Sequence, residues 1–192
     1  MKLLHLDSSA LGANSVTREL SAAIVARWQD ALPGLRVDYR DLDAEPVAHL
    51  TGEVLAKADA AQAAEGERLL AQFLACDVIV IGAPMYNFGI PSTLKAWIDR
   101  VAVAGKTFRY TADGPVGLAG GKRVIVASGR GSVHGDGTSD FQESYLRQVF
   151  GFLGIEDVEF VRAEGVALSP QHRADALAAA HAAIPLPLRT AA

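Results

Sequence analysis

The segment that decides the fold spans residues 77–91, with the sequence DVIVIGAPMYNFGIP. It starts with an unbroken apolar run from Val78 to Ile81, which is typical of a strand buried on both faces of a parallel sheet. The loop that follows places two aromatic side chains and an amide between Pro84 and Pro91, where an ordinary loop is built from Ser, Asp and Gly. We therefore expect a central strand that ends in a functional loop.

The same succession of a short apolar run and a longer amphipathic segment extends from this strand to both ends of the chain. Five strands are predicted, at Lys2–Leu6, Leu35–Arg40, Asp77–Gly82, Arg123–Ser128 and Val158–Ala163. Five helices are predicted, at Ser15–Ala31, Gly52–Ala75, Pro91–Val103, Ser139–Gly154 and Pro170–Ile184. Repeated strand–helix units with right-handed crossovers predict an α/β fold. Five strands favour a flavodoxin-like, doubly wound parallel sheet in the order 2-1-3-4-5, in three α/β/α layers.

Composition limits the classes of function. With 192 residues, 50% of them hydrophobic and 21% charged, the chain is predicted to form a single domain over residues 1–192. A net charge of -4 without a Lys/Arg block argues against nucleic acid or a membrane surface as a partner. No apolar run reaches the roughly 20 residues that span a bilayer and no leader pattern is present, so a cytoplasmic location is predicted. Cys76 is the only cysteine, which excludes an internal disulfide and a multi-cysteine metal site, and no metal is expected.

The predicted strand order places the switch point of the sheet between strands 1 and 3. Ligands of such sheets bind at the carboxyl ends of the strands near that point. The ends of strands 1, 3 and 4 carry the first loop (Asp7–Thr17), the second loop (Ala83–Pro91) and the third loop (Ser128–Asp136). A further irregular segment, Gly105–Gly121, is predicted to form a short hairpin or a lid.

The first loop sets several hydroxyl groups just before a helix. Free N–H groups at a helix start, together with Ser and Thr side chains, suit a phosphate without any Lys or Arg. The alternative is that Asn14 or Ser15 simply caps the helix. The loop matches neither the dinucleotide-binding glycine motif nor a P-loop.

The second and third loops have the groups needed to hold a flat ring. Met85, Tyr86 and Phe88 offer flat or polarizable surface, Asn87 offers a donor and an acceptor, and glycines in the third loop allow close backbone approach. The alternatives are that the aromatic pair fills a gap in the core and that His134 braces its loop. A phosphate plus a flat polar ring describes a mononucleotide, and on this fold FMN.

Four motifs carry a resemblance to a known family. They are the pair Ser8-Ser9 followed by Ser15-x-Thr17, PMYNFGIPSTLKAWIDRV from Pro84, GKTFRYTADGPVGL from Gly105 and SGRGSVHGDG from Ser128. Together they resemble the FMN-dependent NADH azoreductases of type 1, bacterial flavoenzymes that reduce quinones and azo dyes. The resemblance covers nearly the whole chain, and MYNF and TFRYT are its most specific parts.

The resemblance implies an activity and a set of partners. It implies a tightly but non-covalently bound FMN, NADH or NADPH as electron donor, reduction of quinones to hydroquinones and cleavage of azo compounds to amines. It also implies ping-pong kinetics and a homodimer in which the partner completes the flavin pocket, with Phe108–Tyr110 as the candidate rim. No protein side chain is expected to be catalytic, because the flavin carries the chemistry, although His134 is a candidate partner of the flavin O2 or N1.

The resemblance also implies roles for single residues. Residues matched to the phosphate end are Ser9, Ser15, Val16 and Thr17. Residues matched to the flavin ring are Pro84, Met85, Tyr86, Asn87, Phe88, Gly129, Arg130, Gly131, Ser132 and His134.

The chain departs from the family pattern at three places. Val16 stands where a polar residue is expected, which leaves only its backbone N–H for the phosphate. The third loop has its hydroxyls displaced, so that either Ser128 or Ser132 takes the role of a missing serine. The segment from Leu50 to Gly66 is shorter than in the family, which affects any contact made by that part.

Two other classes of protein remain as alternatives. A flavodoxin-type electron carrier shares the fold but is usually more acidic and lacks the TFRYT hairpin. A serine hydrolase would use Ser8 or Ser9 as nucleophile, but it needs a late Asp-x-x-His pair that the tail SPQHRADALAAAH does not contain.

Overall fold

The computed structural model describes residues 1–134 and 139–187. The strands in these residues are β1 (Lys2–Asp7), β2 (Arg36–Asp41), β3 (Val78–Pro84), β4 (Phe108–Thr111), β5 (Gly114–Gly117), β6 (Arg123–Gly129) and β7 (Asp157–Ala163). The helices are α1 (Val16–Ala31), α2 (Gly52–Leu55), α3 (Ala60–Ala75), α4 (Ser92–Val101), α5 (Phe141–Phe152) and α6 (Pro170–Ala182), and a single 3₁₀ turn covers Gly12–Asn14.

Five strands form one parallel sheet in the order β2-β1-β3-β6-β7. This is the predicted order 2-1-3-4-5 of a flavodoxin-like sheet, and the prediction is confirmed. The apolar run of β3 lies in the middle of the sheet, where Ile79 pairs with Leu4 of β1 and with Val124 of β6. Such a strand has no face toward solvent, which accounts for its unbroken hydrophobicity.

Helices cover both faces of the sheet. Alternate residues of β3 point to opposite faces, so Val80 packs with Ile24 and Trp28 of α1 on one face. On the other face Ile81 packs in a cluster that contains Phe73 of α3 and Trp97 of α4. The molecule therefore has the predicted three α/β/α layers, with one apolar cluster on each side of the sheet.

The single helix predicted over Gly52–Ala75 is wrong, because the chain forms the short α2, a break and then α3. At the break Lys57 has a φ of 53°, a left-handed conformation that no α-helix continues. The Asp59 carboxylate then accepts the N–H groups of Ala61 and Gln62 and starts α3 as its N-cap.

The segment predicted as a hairpin or lid contains the antiparallel hairpin β4–β5. The hairpin packs on the end of α5, where a Cβ atom added to Gly117 would lie 2.1 Å from the backbone N of Gly154.

None of the helices within the described residues is both long enough and apolar enough to cross a bilayer.

Helix α1 approaches β3 very closely at Gly82. A Cβ atom added there would lie 2.3 Å from Oδ1 of Asp7 and 3.1 Å from the carbonyl oxygen of Thr17. The carboxylate is itself fixed, because its Oδ1 accepts the hydroxyl of Ser21 at 2.7 Å. The absence of a side chain at this position therefore sets how near the start of α1 lies to the end of the sheet.

We expect Gly82→Ala to lower the free energy of unfolding by about 1–3 kcal/mol, because the added methyl group overfills a packed contact. Urea denaturation followed by circular dichroism measures the change. Gly151→Ala is the matched control, since a Cβ atom there meets nothing within 4 Å. Gly151 lies one residue before the end of α5, so this control change is expected to be neutral or stabilising, by less than about 1 kcal/mol. Equal effects of the two substitutions would contradict the close approach.

Candidate functional site

The three predicted loops converge at the carboxyl edge of the sheet. The Ser8 N–H and hydroxyl both donate to the carbonyl oxygen of Gly82, at 3.2 and 2.7 Å, which ties the first loop to the end of β3. The Met85 N–H donates to the carbonyl oxygen of Gly129 at 2.9 Å, which ties the second loop to the start of the third. The strand order therefore brings together residues that are far apart in the sequence.

The hydroxyl groups of the first loop line the start of α1. Ser15 is the N-cap of α1, and its Oγ accepts the Arg18 N–H at 3.3 Å, so the predicted capping is confirmed for Ser15. The Ser15 hydroxyl also lies 3.1 Å from the Thr17 hydroxyl. The first N–H groups of a helix have no intrahelical acceptor, so this end carries partial positive charge. The arrangement suits an anion in the way the sequence predicts.

The buried serines of the first loop do not suit nucleophilic catalysis. The Ser8 hydroxyl donates to the carbonyl oxygen of Gly82, and the Ser9 hydroxyl lies between the Tyr86 hydroxyl and the Leu11 N–H. A hydrolytic nucleophile needs a general base as its hydrogen-bond partner, and these contacts provide none. The geometry therefore disfavours the serine hydrolase alternative.

The second loop contains a strained two-residue turn. Tyr86 and Gly89 exchange both backbone hydrogen bonds at 3.0 Å, and the two residues between them have positive φ, 50° at Asn87 and 69° at Phe88. Positive φ at both positions is the requirement of a type I′ turn. Asn tolerates this conformation, but a bulky aromatic residue rarely adopts it. Since the Phe88 side chain is 55% exposed, it does not fill a gap in the core.

Tyr86 links the second loop to the first. Its hydroxyl lies 3.2 Å from Oγ of Ser9 and accepts the Ala10 N–H at 3.2 Å. The Ser9 Oγ in turn accepts the Leu11 N–H at 3.3 Å. Tyr86 thus connects a residue matched to the phosphate end with the loop matched to the ring.

The third loop begins against the first turn of α1. A Cβ atom added to Gly129 would lie 2.9 Å from Cγ2 of Thr17, so only a glycine permits this contact. The backbone of the loop is fixed by β7 and the segment after it, since the Arg130 N–H donates to the carbonyl oxygen of Ala163 and the Ala167 N–H to that of Gly131. Gly135 and Asp136 of the third loop, and Gly137 after it, lie outside the described residues.

The side chain of Arg130 is directed into the protein. It is 3% exposed as a residue and its guanidinium pairs with Asp140 at 2.6 Å, Glu143 at 2.7 Å and Glu164 at 3.1 Å. These carboxylates hold the guanidinium away from the loop surface. Since its N–H donates to the carbonyl oxygen of Ala163, Arg130 offers a ligand only its backbone carbonyl oxygen.

The two candidate serines of the third loop have different surroundings. Ser128 is fully buried, and its Oγ lies 3.0 Å from Oε1 of Gln142 and accepts from Nε of Arg130 at 3.3 Å. Gln142 also donates to the carbonyl oxygen of Ala83 at 2.9 Å. Ser132 is exposed. Of the two, Ser132 is the one whose hydroxyl lies at the surface of the loop.

His134 stands beside the exposed aromatic residue of the second loop. The rings of Phe88 and His134 are 6.2 Å apart between centroids and nearly perpendicular, at 86°. Nδ1 of His134 lies 3.1 Å from Oγ of Ser139. The histidine braces its loop through this contact and also faces the edge at which the second and third loops meet.

A charged cluster that the sequence did not reveal flanks the first loop. Arg18 pairs with Asp41 at 2.6 Å, and the Tyr39 hydroxyl donates to Asp7 at 3.1 Å. Burial, together with the Asp7 carboxylate, raises the pKa of Tyr39 to about 12. These side chains border a cavity of about 550 Å³ that reaches Gly12 and Ser15. Because they come from two strands and a helix, no sequence spacing signals the cluster.

The short segment from Leu50 to Gly66 lies next to the hairpin. It lines an apolar cleft of about 410 Å³ together with Phe108 of β4. Phe108 is nearly buried, whereas Tyr110 is 74% exposed.

Within residues 1–134 and 139–187, no three His, Cys, Asp or Glu side chains cluster closely enough to hold a metal ion.

Comparison with known proteins places this architecture in a family. The family model described as a flavodoxin-like fold matches residues 1–185. The chain belongs to this flavodoxin-like family.

Several known proteins are similar to the chain over nearly its whole length. The chain is 70% identical over 184 residues to the FMN-dependent NADH:quinone oxidoreductase 1 of Xanthomonas euvesicatoria, covering 96% of this chain and 95% of that one. It is 67% identical over 185 residues to the FMN-dependent NADH:quinone oxidoreductase of Stenotrophomonas maltophilia, with the same coverage. The crystal structure of an azoreductase from Bacillus anthracis matches with a TM-score of 0.86 and 30% identity, covering 95% of both chains. The resemblance to the azoreductases is confirmed.

We expect Phe88→Gly to raise the free energy of unfolding by up to about 1 kcal/mol, because glycine adopts positive φ without the cost that a side chain incurs. Chemical denaturation of the flavin-free chain measures the change. Leu74→Gly is the control, since Leu74 is 40% exposed and lies in α3, where glycine is unfavourable. A loss of stability in Phe88→Gly as large as in the control would show that the turn is not strained.

The ion pair of Asp140 with Arg130 predicts a dependence of stability on pH. Burial would raise the pKa of the Asp140 carboxyl, but the Glu143 N–H, the Arg130 guanidinium and the Gln142 N–H together lower it below its ordinary value. A folded pKa below the unfolded value of about 3.9 means that the ionised carboxylate stabilises the fold fully above that pH. The stabilisation is lost as the pH falls through the folded pKa.

We therefore expect the difference in unfolding free energy between the wild type and Asp140→Asn to be largest near neutral pH and to shrink below about pH 4. Urea denaturation at a series of pH values measures this difference. A difference that stays constant from neutral to acidic pH would rule out the ionised carboxylate as its source.

Proposed function

We propose that this chain is an FMN-dependent oxidoreductase that uses NADH to reduce quinones. The observation that carries the proposal is the convergence, at the switch point of the sheet, of a hydroxyl-lined helix start with a strained turn that exposes an aromatic ring. The high identity to relatives that are named FMN-dependent NADH:quinone oxidoreductases supports it.

The residues at the start of α1 fit the phosphate end of FMN. Ser9, Ser15 and Thr17 supply hydroxyls, and the first turn of α1 supplies N–H groups. The Val16 side chain packs in the apolar cluster that contains Leu20, so its backbone N–H is its contribution to the phosphate. The fit therefore needs no polar side chain at that position.

The residues of the second and third loops fit the flavin ring. Met85, Asn87 and Phe88, which follow Pro84, lie at the turn. Asn87 is exposed, so its amide can offer a donor and an acceptor to the edge of a ring. The backbones of Gly129, Arg130, Gly131 and Ser132 and the side chain of His134 complete the opposite side. Tyr86 holds the two subsites together through its contacts with the first loop.

When bound, FMN supplies the redox chemistry by accepting a hydride from NADH and passing two electrons to a quinone. The protein binds and orients the ring, and the third-loop N–H groups with His134 favour negative charge on it. Cys76 takes no part, because burial raises the pKa of its thiol to about 11 and keeps it protonated at neutral pH.

Finer parts of the proposal follow from the resemblance. We propose that NADPH is an alternative donor, that azo compounds are cleaved to amines, and that donor and acceptor bind in turn with ping-pong kinetics. We also propose a single-domain, cytoplasmic protein that forms a homodimer. A groove of about 790 Å³ between α4 and α5, lined by Ile90, Tyr145 and the exposed Phe141, supports the homodimer.

The visible spectrum of the purified chain tests the function. We expect a yellow protein that NADH bleaches without oxygen and that a quinone then reoxidises, with hydroquinone as product. A colourless chain that does not take up FMN would refute the proposal. A yellow chain that neither NADH nor NADPH bleaches would instead indicate a flavodoxin-type electron carrier.

A further inference from the structure

Arg18 connects the first loop to the edge of the sheet. Its Nε and Nη2 donate to the carbonyl oxygen of Ser9 at 3.2 and 2.9 Å. Its Nη1 and Nη2 donate to the two carboxylate oxygens of Asp41, at 2.6 and 2.7 Å. A side chain of α1 is thereby fixed to the last residue of β2 and to the backbone of the loop between β1 and α1.

Every donor of the Arg18 guanidinium is in use. A fifth contact joins its Nη1 to the Tyr39 hydroxyl at 3.4 Å, and five contacts match the five N–H groups of a guanidinium. To bind a phosphate directly, Arg18 would have to give up its bidentate pair with Asp41, which is the strong geometry for this group. Arg18 therefore does not serve as a phosphate ligand.

Asp41 is as firmly held as Arg18. Its Oδ1 accepts the N–H groups of Asp43 and Ala44 at 3.0 and 3.3 Å. The hydrogen bonds from Arg18 and these N–H groups, against the opposing effect of burial, lower the pKa of the Asp41 carboxyl. The carboxylate stays ionised and gives Arg18 a fixed anchor.

Arg18 fixes the backbone of Ser9, and two other contacts orient the Ser9 hydroxyl. The Ser9 carbonyl is held by Arg18, and the Ser9 Oγ lies between the Tyr86 hydroxyl and the Leu11 N–H. Because Arg18 is the third residue of α1, it also sets the distance between this serine and the N–H groups of the helix start. Ser9 and the N–H groups at the start of α1 are thus joined through the guanidinium of Arg18.

We propose that Arg18, anchored by Asp41, is a positioning residue of the phosphate subsite that fixes Ser9 against the start of α1. The inference rests on the proposed function and deepens it. A fixed donor array binds an anion more tightly than a mobile one, since the donors are already ordered before binding.

Positioning and simple charge attraction predict opposite results for Asp41→Asn. If Arg18 acted only through its positive charge, removal of the nearby negative charge would strengthen FMN binding. If Arg18 acts by position, the same substitution breaks half of the bidentate pair, frees the guanidinium and weakens FMN binding. Arg18→Lys separates the two ideas again, since it keeps the charge but loses the planar fork.

The test compares the dissociation constants of FMN and riboflavin, measured by quenching of flavin fluorescence on the full chain freed of flavin. Riboflavin lacks the phosphate, so it reports the rest of the site and the integrity of the fold. We expect Arg18→Lys and Asp41→Asn each to weaken FMN binding about tenfold or more, as for the loss of one charge-assisted hydrogen bond. Riboflavin binding should change less than about twofold. Arg68→Gln removes an exposed arginine paired with Glu65 on α3 and should change neither constant.

Three results would overturn the inference. They are FMN binding that stays within twofold of the wild type in Arg18→Lys, FMN binding that is unchanged or tighter in Asp41→Asn, and riboflavin binding that weakens by the same factor as FMN binding. If the wild-type chain does not bind FMN, the proposed function is wrong and the inference fails with it, so the wild-type titration distinguishes the two failures.

Discussion

The close approach of α1 to the sheet is the constraint on which the candidate site depends. At Gly82 and Gly129 a side chain would meet Asp7 and Thr17 at 2.3 and 2.9 Å, so neither strand carries one there. The start of α1 therefore lies against the ends of β3 and β6, at the same edge where the second and third loops begin. Without these two contacts the hydroxyls before α1 and the aromatic turn after β3 would not lie side by side at this edge.

The apolar layers and the loops have different physical roles. The two hydrophobic clusters provide the favourable free energy, because they remove large apolar side chains such as Trp28 and Trp97 from water. The edge of the sheet contains features that cost free energy, including positive φ at Phe88 and the desolvated charge of Arg130. The stable sheet makes it possible to keep these features in place, as is usual where binding sites are built on a rigid scaffold.

The sequence predicts much of the fold because its signals are local. Unbroken apolar runs identify the strands, and four-residue periodicity identifies the helices. The break at Lys57 escapes such reasoning, since the residues on both sides of it favour a helix and only the N-cap Asp59 indicates a new start. A sequence search for caps inside long helical patterns would have found it.

The sequence predicts which residues lie in the candidate site, but not the hydrogen bonds and ion pairs between them. The positions of Tyr86 and Ser9 within loops at the switch point follow from strand order, whereas the hydrogen bond between them depends on the loop conformations. The same is true of Arg130, whose charge in a glycine-rich loop suggests a ligand contact. Three carboxylates, from α5, its N-cap and the residue after β7, instead turn that charge inward.

The proposed phosphate subsite illustrates why the contacts between residues matter more than which residues are present. Arg18 is the only cationic residue in the first loop and the first turn of α1, and its donors are used by Ser9, Asp41 and Tyr39. A phosphate would therefore be held by neutral hydroxyls and N–H groups, with carboxylates close by. Neutral donors attract an anion strongly only when they are oriented before it arrives, because reorienting them costs part of the gain. In such a subsite the arginine is more useful as a fixed support for other donors than as a ligand.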